Sequence, residues 1–485
     1  MRDDDSEHGI SMNFLSRIEP DRRWLYMLMI LAVSFSGIFD HDLWTPDEPR
    51  AAELSREFLD HGRWSVPTLN QEPFVEKPPL VYWVGAMSLK VLGTYDWAVR
   101  IAGLLFSLGT LFFVYLLAKR LVDRETAWAS VLVLLSTVGF LLRSHHFETD
   151  VGLVFFVTGA AYFLYRAVTG TAWWYIPAYL FALGAFFSKG FIGFAFLGLL
   201  FLCWTIWLKR PREIMRARPW IGVPLLSAPI MLWFSVLAQD PRGDLLHVFL
   251  YQNHLQRLLG SSPGYAGGHT QPLAYYLLQF PIQCFPWALV LAFGPRWFWS
   301  QRAEAASKFL LAWFVPGFIL LTVAATKRGI YLLPLLPPLA IWVAMWFTRH
   351  GKEKWLAASV AVFAFVFVSA SLSVIPRVNE EKSLRLFFEQ LASRTGPQIK
   401  LYAYRPDETT SAAIPFYTGR YFTPVEQEHD LAAIAKQPGA AVVVVVEKRG
   451  PPVLPTVRRY FPHEWIARKG QGRRGMWVLS NVSDH

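Results

Sequence analysis

Apolar runs dominate the chain between residues 24 and 375, and short polar loops interrupt them. Runs able to cross a bilayer fall at 24–39, 98–118, 127–142, 151–165, 172–187, 190–208, 220–238, 272–294, 309–325, 329–347 and 355–375. A crossing takes about 20 residues, so the shorter runs extend into their flanks. One more run, Pro79–Leu92, is about 14 residues long and contains Lys90, which suits an interfacial or re-entrant helix better than a span. From residue 376 the pattern changes. A helix-like segment (380–393) precedes strand-like runs at 401–404, 440–447 and 476–480. The expected architecture is a polytopic α-helical membrane protein with about eleven spans plus interfacial helices. A cytoplasmic N-terminus (1–23) precedes the membrane domain (24–375), and a small soluble α/β domain (376–485) follows it. No solenoid repeat is visible, nor a pair of broken helices in matching halves.

Loop charge orients these runs. With Pro79–Leu92 left out of the count, nearly every basic cluster falls on one side. These are Arg17, Arg22 and Arg23, then Lys119, Arg120 and Arg124, then Arg166, then 209–219, 295–308 and 348–354. Counting that run as a span would move KRPREIMRAR to the other face. The positive-inside bias therefore predicts N-terminus in and C-terminus out. The first run ends in SFSGIFDHD with no small-x-small cleavage pattern, so it reads as a signal anchor. The 53% hydrophobic and 17% charged composition argues against a soluble chain. The net charge of +11 is largely a topology imprint, so no nucleic-acid partner is expected. Cys203 and Cys284 lie within apolar runs and read as packing residues.

The outer face then receives the loop 40–97, the segment RSHHFETD (143–150), the turn at 188–190, the loop 239–271 and residues 326–329. Nine carboxylates crowd Asp40–Pro79: Asp40, Asp42, Asp47, Glu48, Glu53, Glu57, Asp60, Glu72 and Glu76. Ionisable groups at a bilayer are expensive and tend to be functional. Asp47 and Glu48 have a simpler reading as helix caps before Pro49. One cap needs one carboxylate, however, and the excess points to a group that accepts a proton from an acceptor or orients it. Glu53, Glu57 and Asp60 read as a solvated helix face. Glu76-Lys77-Pro78-Pro79 holds Lys77 near headgroup depth, as a snorkelling lysine or as a phosphate ligand. Lys189, Lys327, Arg328 and, more weakly, Arg143 are cations on a face where the positive-inside bias disfavours them, and a lipid phosphate explains them. Asp150 starts a span on that face. His145 and His146 lack metal-motif spacing. Gly264, Gly267 and Gly268 suggest a flap, or simply a solvated loop.

Together these residues resemble a known family. LWTPDEPRAAELSREFLDHGRWSVPTLNQEPFVEKPPLVYW is similar to the first outer loop of bacterial polyprenyl-phosphate-sugar glycosyltransferases of the C-fold class. The resemblance is strongest to the lipid A 4-amino-4-deoxy-L-arabinose transferases, within the protein-mannosyltransferase-like superfamily. It continues through Ser188-Lys189-Gly190, NHLQRL (253–258), Pro286-Trp287 and TKRGIYLLPLLPPLA (326–340). It implies a glycosyltransferase of the bacterial inner membrane whose active site and C-terminal domain face the periplasm. A sugar would pass from undecaprenyl phosphate to lipid A, another glycan or a protein. Asp47 matches the family's catalytic aspartate and Asp150 a second functional one. Lys77 and Lys189 match lysines tied to the donor phosphate. Glu76 and His254 match positions tied to a divalent metal such as zinc, magnesium or manganese. Ala51 stands where the family has tyrosine. Another class of function, a lipid-linked saccharide flippase, would place ionisable residues near the bilayer midplane rather than at span ends on one face.

Overall fold

The computed structural model describes residues 23–44, 47–259, 270–396, 398–447, 453–468 and 475–483. The predicted glycine flap, Thr45-Pro46 and the basic residues Arg17 and Arg22 lie outside them. Most of the described chain is helical. In order come α1 (Arg23–Phe35), α2 (Asp47–His61), α3 (Leu80–Leu92), α4 (Asp96–Leu121) and α5 (Arg124–Leu135). Then follow α6 (Val138–Ser144), α7 (Thr149–Thr169), α8 (Tyr175–Lys189) and α9 (Phe191–Trp207). Among the described residues, six helices are long and apolar enough to cross a membrane: α4, α7, Pro219–Ala238, Ala305–Val323, Gly329–Arg349 and Glu353–Ser373. The α5–α6 pair, bent by 71°, makes a seventh if counted as one broken span. The predicted run 272–294 is split into Tyr275–Gln283 and Ala288–Phe293. Pro286 falls in the break and has no N–H to donate.

The helices share one apolar core, which includes Leu132, Phe140, Val154, Phe309 and Trp313. Small residues allow close approach. A Cβ on Gly152 of α7 would meet Val81 of α3 at 2.5 Å, so the acidic loop's following helix is pressed onto α7. Between α2 and α3 a short hairpin pairs β1 (Thr68–Leu69) with β2 (Glu72–Pro73). Its turn residues Asn70 and Gln71 both have positive φ, 51° and 70°, as a two-residue type I′ turn requires.

The C-terminal unit contains a five-stranded sheet of order β4-β3-β5-β7-β6. Its strands are β3 (Lys400–Tyr404), β4 (Thr423–Val425), β5 (Ala441–Glu447), β6 (His463–Arg468) and β7 (Gly475–Ser480). β3 runs parallel to β4 and β5, and β7 runs antiparallel to β5 and β6. The valine run of β5 serves both faces. Val442 and Val444 enter one core with Phe388 and Ile414, while Val443 and Val445 enter the other with Leu431 and Phe461. Strands β4 and β6 are shorter in apolar pattern and escape the sequence reading. The predicted helix 380–393 is two helices, Ile375–Lys382 and Arg385–Arg394. Ser383 sits between them, and its hydroxyl donates to the Asp42 carboxylate.

That contact belongs to a broad docking surface. Ala412 and Phe416, on the helix Glu408–Thr418, join the core of the helical bundle. The Leu43 amide donates to the Tyr417 hydroxyl at 3.2 Å. Asn70 exchanges two hydrogen bonds with the backbone of Phe422, at 3.0 and 3.2 Å. The C-terminal unit therefore sits on the segment between α1 and α3.

Candidate active site

The buried face of α2 corrects two sequence expectations. Glu48 is 2% exposed and turns away from the cavity described below. It accepts from Arg100 Nε at 2.6 Å and from the Trp44 amide at 2.9 Å. Arg100 also donates to the carbonyls of Ile38, His41 and Asp42. Glu48 thus ties the incoming loop to α4 and the start of α2, and a catalytic part for it finds no support. Glu53 and Glu57 are not on a solvated face either, with exposures of 0% and 1%. Arg56 donates to both oxygens of Glu53 and to Asp60. Glu57 accepts from the amide of Gln71 at 3.2 Å, which fixes the hairpin turn. The cover supplied by α3 and the C-terminal unit makes this face an interior. A helix-period pattern with charges at those positions gives no sign of it.

The first turn of α2 presents Asp47 and Arg50 to a polar cavity of about 60 Å³. Arg328 Nη2 reaches one oxygen of Asp47 at 2.8 Å, and Arg50 Nη2 reaches the other at 2.6 Å. Burial works to raise the Asp47 carboxyl, and Arg328 and Arg50 overcome it, so it is held below the ordinary carboxylate range. Across the cavity stand Glu148, Asp150 and Lys189. Lys189 pairs with Asp150, and its ammonium lies 4.6 Å from the centre of the Tyr331 ring. Gly190 makes this placement possible. Its φ of 75° ends α8 directly after Lys189, and a Cβ there would meet His254 Nε2 at 2.2 Å.

Glu76 and Lys77 enter from the β2–α3 connection. Lys77 Nζ donates to Glu76 at 2.9 Å, and Arg257 donates to the same oxygen at 2.6 Å. Burial dominates at Lys77 and pulls its ammonium down to about 8, against the pull of Glu76 and with help from Arg257 and Lys189. Glu148 behaves oppositely. Burial pushes its carboxyl up to about 7, with Asp47 and Asp150 adding to the rise and Arg143 opposing it.

A second, larger cavity of about 450 Å³ opens from this centre. Its walls are mostly apolar, with Phe191, Ile192, Leu250, Leu258 and Leu320 among them. Where it joins the polar cavity the two share Glu76, Lys77, Asp150, Lys189, Arg257 and Tyr331, together with Thr326. A greasy groove ends in a knot of cations.

Of the residues singled out from sequence, Asp47, Glu76, Lys77, Asp150, Lys189 and Arg328 line the polar cavity, and His254 lines the apolar one. Lys327 does neither. It is 3% exposed and donates to the carbonyls of Gln271 and Ala324, because its neighbour Arg328 takes the inward position in the turn. Arg143 stands behind the cavity and pairs with Glu148 at 2.9 Å. Arg50, Arg257 and Glu148 were missed. Arg50 lies within the quoted DEPR run and Arg257 within NHLQRL. One helical turn from Asp47, Arg50 was the findable one.

The metal expectation fits these surroundings poorly. Glu76 is hemmed by Lys77 and Arg257, with Arg50 at 3.6 Å, and they hold its carboxyl well below the ordinary range against the effect of burial. His254 holds Nδ1 on the carbonyl of Phe249 at 2.7 Å, which leaves Nε2 available, so the mismatch lies with the cations around Glu76. A divalent ion between them would face three cations. Among the described residues, one group of three has metal-ligand atoms within 4.8 Å of one another: His41, Glu48 and His146. There Glu48 is already matched by buried Arg100, whose charge opposes a second cation. His145 bonds the carbonyls of Leu141 and Val33.

Comparison with known proteins adds lineage to this geometry. The profile of the family described as dolichyl-phosphate-mannose-protein mannosyltransferase matches residues 76–235. The chain is 30% identical over 343 residues to an undecaprenyl phosphate-alpha-4-amino-4-deoxy-L-arabinose arabinosyl transferase of Shewanella sediminis, covering 69% of this chain and 62% of that one. The protein of the same description from Yersinia enterocolitica is 32% identical over 325 residues, covering 65% and 57%. The chain thus spans less than two thirds of the length of these curated relatives. Among solved structures, ArnT from Cupriavidus metallidurans bound to undecaprenyl phosphate superposes with a TM-score of 0.81 at 19% identity, covering 95% of this chain and 98% of that one. The fold is shared almost end to end.

Proposed function

We propose that this chain, a relative of the bacterial polyprenyl-phosphate-sugar glycosyltransferases with their C-fold, moves a sugar from undecaprenyl phosphate to an acceptor at the outer face of the inner membrane. The observation that carries this reading is the apolar cavity ending in Lys77, Lys189 and Arg257. A polyprenyl chain suits the first part, and its phosphate suits the second.

The reaction is a displacement at the anomeric carbon, with polyprenyl phosphate leaving. That group departs as a stable anion, so it needs fixed cations more than an acid. Lys77, Lys189 and Arg257 serve it, with Arg328 closer to Asp47. Asp47 faces the acceptor. For a hydroxyl acceptor it takes the proton. For a phosphate acceptor, as on lipid A, the nucleophile is already ionised and Asp47 orients it. Asp150 keeps Lys189 turned toward the leaving group. A divalent metal is not required by this scheme.

The same reading gives eleven crossings, with the shorter helices α1, α8 and α9 and the split segment 272–294 among them, and α3 at the interface. The segment 376–485 is a soluble periplasmic domain, on the same side as the acidic loop on which it rests. The acceptor is lipid A, another envelope glycan or a protein.

Reconstitution with radiolabelled polyprenyl-phosphate sugars and a membrane acceptor extract tests the reading. Label should move to an acceptor with wild type and fall by at least about a hundredfold with Asp47→Asn. Absence of transfer from every donor, or full transfer by Asp47→Asn, overturns it.

A further inference from the structure

The C-terminal unit touches Arg50, a residue that lines the polar cavity. Glu408, the first residue of the helix Glu408–Thr418, pairs with Arg50 Nη1. The other arm of Arg50, Nη2, holds Asp47 Oδ1. Arg50 is only 12% exposed and lies over the Phe74 ring, 5.6 Å from its centre, so its charge needs close partners. A third carboxylate competes for it. Glu76 Oε2 is 3.6 Å from the same Nη1, just beyond hydrogen-bonding distance.

We propose that Glu408 is a positioning residue for transfer: by anchoring one arm of Arg50, it keeps the other arm on Asp47 and stops Arg50 from closing the remaining 3.6 Å to Glu76. Without Glu408 the nearest carboxylate for the released arm is Glu76. A guanidinium is a rigid planar fork, so turning one arm to a new partner turns the other. Asp47 then loses its grip on one side and remains held by Arg328 alone. Glu408 is not needed merely to seat the C-terminal unit. Tyr417 on Leu43, Asn70 on Phe422, and Ser383 with Asn379 on Asp42 fasten it independently. Tyr421 adds a contact to Asp60 at 3.0 Å.

This inference rests on the reading of Asp47 as the group that meets the acceptor. It is tested with the full chain in proteoliposomes, following transfer kinetics together with equilibrium binding of undecaprenyl phosphate. Glu408→Gln should lower kcat about tenfold, because a displaced catalytic group is costly. The donor KM and the Kd for undecaprenyl phosphate should stay within about twofold. Glu408→Asp should recover most of kcat. Tyr421→Phe, which loosens the same interface elsewhere, should leave kcat within about twofold. The inference is overturned by unchanged kcat in Glu408→Gln, by an equal loss in Tyr421→Phe, by no recovery in Glu408→Asp, or by a parallel loss of undecaprenyl phosphate binding. A wild-type protein that neither binds undecaprenyl phosphate nor transfers sugar fails the proposed function instead, and that outcome is seen before any variant is made.

Discussion

Arg328 donates from Nη2 to Asp47 Oδ2 at 2.8 Å, joining residues 281 positions apart in sequence. With Arg50 on the other oxygen, the carboxylate is clamped between two guanidiniums. Its direction is therefore set by two elements far apart in sequence that meet in one cavity. Arg328→Ala should lower kcat by about tenfold or more by freeing one oxygen, while Arg328→Lys, a point charge without the fork, should recover only part. Steady-state transfer kinetics check this, and equal activity of wild type and Arg328→Ala would refute the clamp.

Lys77 carries its own pH signature. Its folded ammonium titrates at about 8, so its charge is present at neutral pH and fades as pH rises through 8. Transfer should decline above that point because the leaving phosphate loses a cation. Lys77→Arg keeps the charge at every accessible pH. Even if its maximum is lower, its profile should stay flat where the wild-type profile falls. An identical alkaline limb in both proteins would remove Lys77 from the donor end.

Glu148 predicts a stability effect of opposite sense. Its carboxyl is raised to about 7 in the folded protein, above the ordinary value of an unfolded glutamate near 4.3. The folded state then binds more protons between those values, so this residue's contribution falls as pH rises from 4 to 7. Glu148→Gln retains an acceptor for Arg143 and removes the buried charge. Thermal unfolding in detergent should show the variant gaining on wild type at pH 8, by up to about 3 kcal/mol, with the gap shrinking toward pH 4. A gap independent of pH would contradict the shift.

Arg100 is wholly buried and feeds Glu48 and three backbone carbonyls. Its removal leaves a buried carboxylate without its counter-charge, with the Trp44 amide as its remaining donor. Arg100→Ala should destabilise the protein by about 3–5 kcal/mol, read as a lower unfolding temperature and reduced yield. Glu48→Gln keeps the packing and an acceptor, and transfer by the protein that does fold should remain near wild type. A large selective loss of kcat in Glu48→Gln would return Glu48 to the chemistry.

Much of this architecture was legible because hydrophobic run length reports helices directly. Loop charges and the resemblance also pointed to loops that line the polar cavity. Within those loops, the choice among neighbours was harder. Lys327 and Arg328 are adjacent cations in one turn, and only the fold decides which faces inward. Asp47 and Glu48 differ in the same way, one lining the cavity and one serving Arg100. Glu53 and Glu57 were misread because burial on α2 is imposed by tertiary packing, partly of α3 and partly of residues more than 300 positions later. Glu408 escaped for the same reason: nothing local marks a helix-start glutamate as the partner of a distant arginine.

That long separation has a consequence for biosynthesis. The ribosome makes Arg50 and Asp47 early and Glu408 some 358 residues after Arg50, roughly half a minute later at ordinary elongation rates. Through that interval the acidic segment waits without the cover that the C-terminal unit supplies, and Leu43, Asp42 and Asn70 lack their partners on that unit. Synthesis past Glu408 then completes the contacts around the polar cavity. A product stalled before it carries all six helices that, among the described residues, are long and apolar enough to cross a membrane, with its acidic segment not yet fastened to the C-terminal unit.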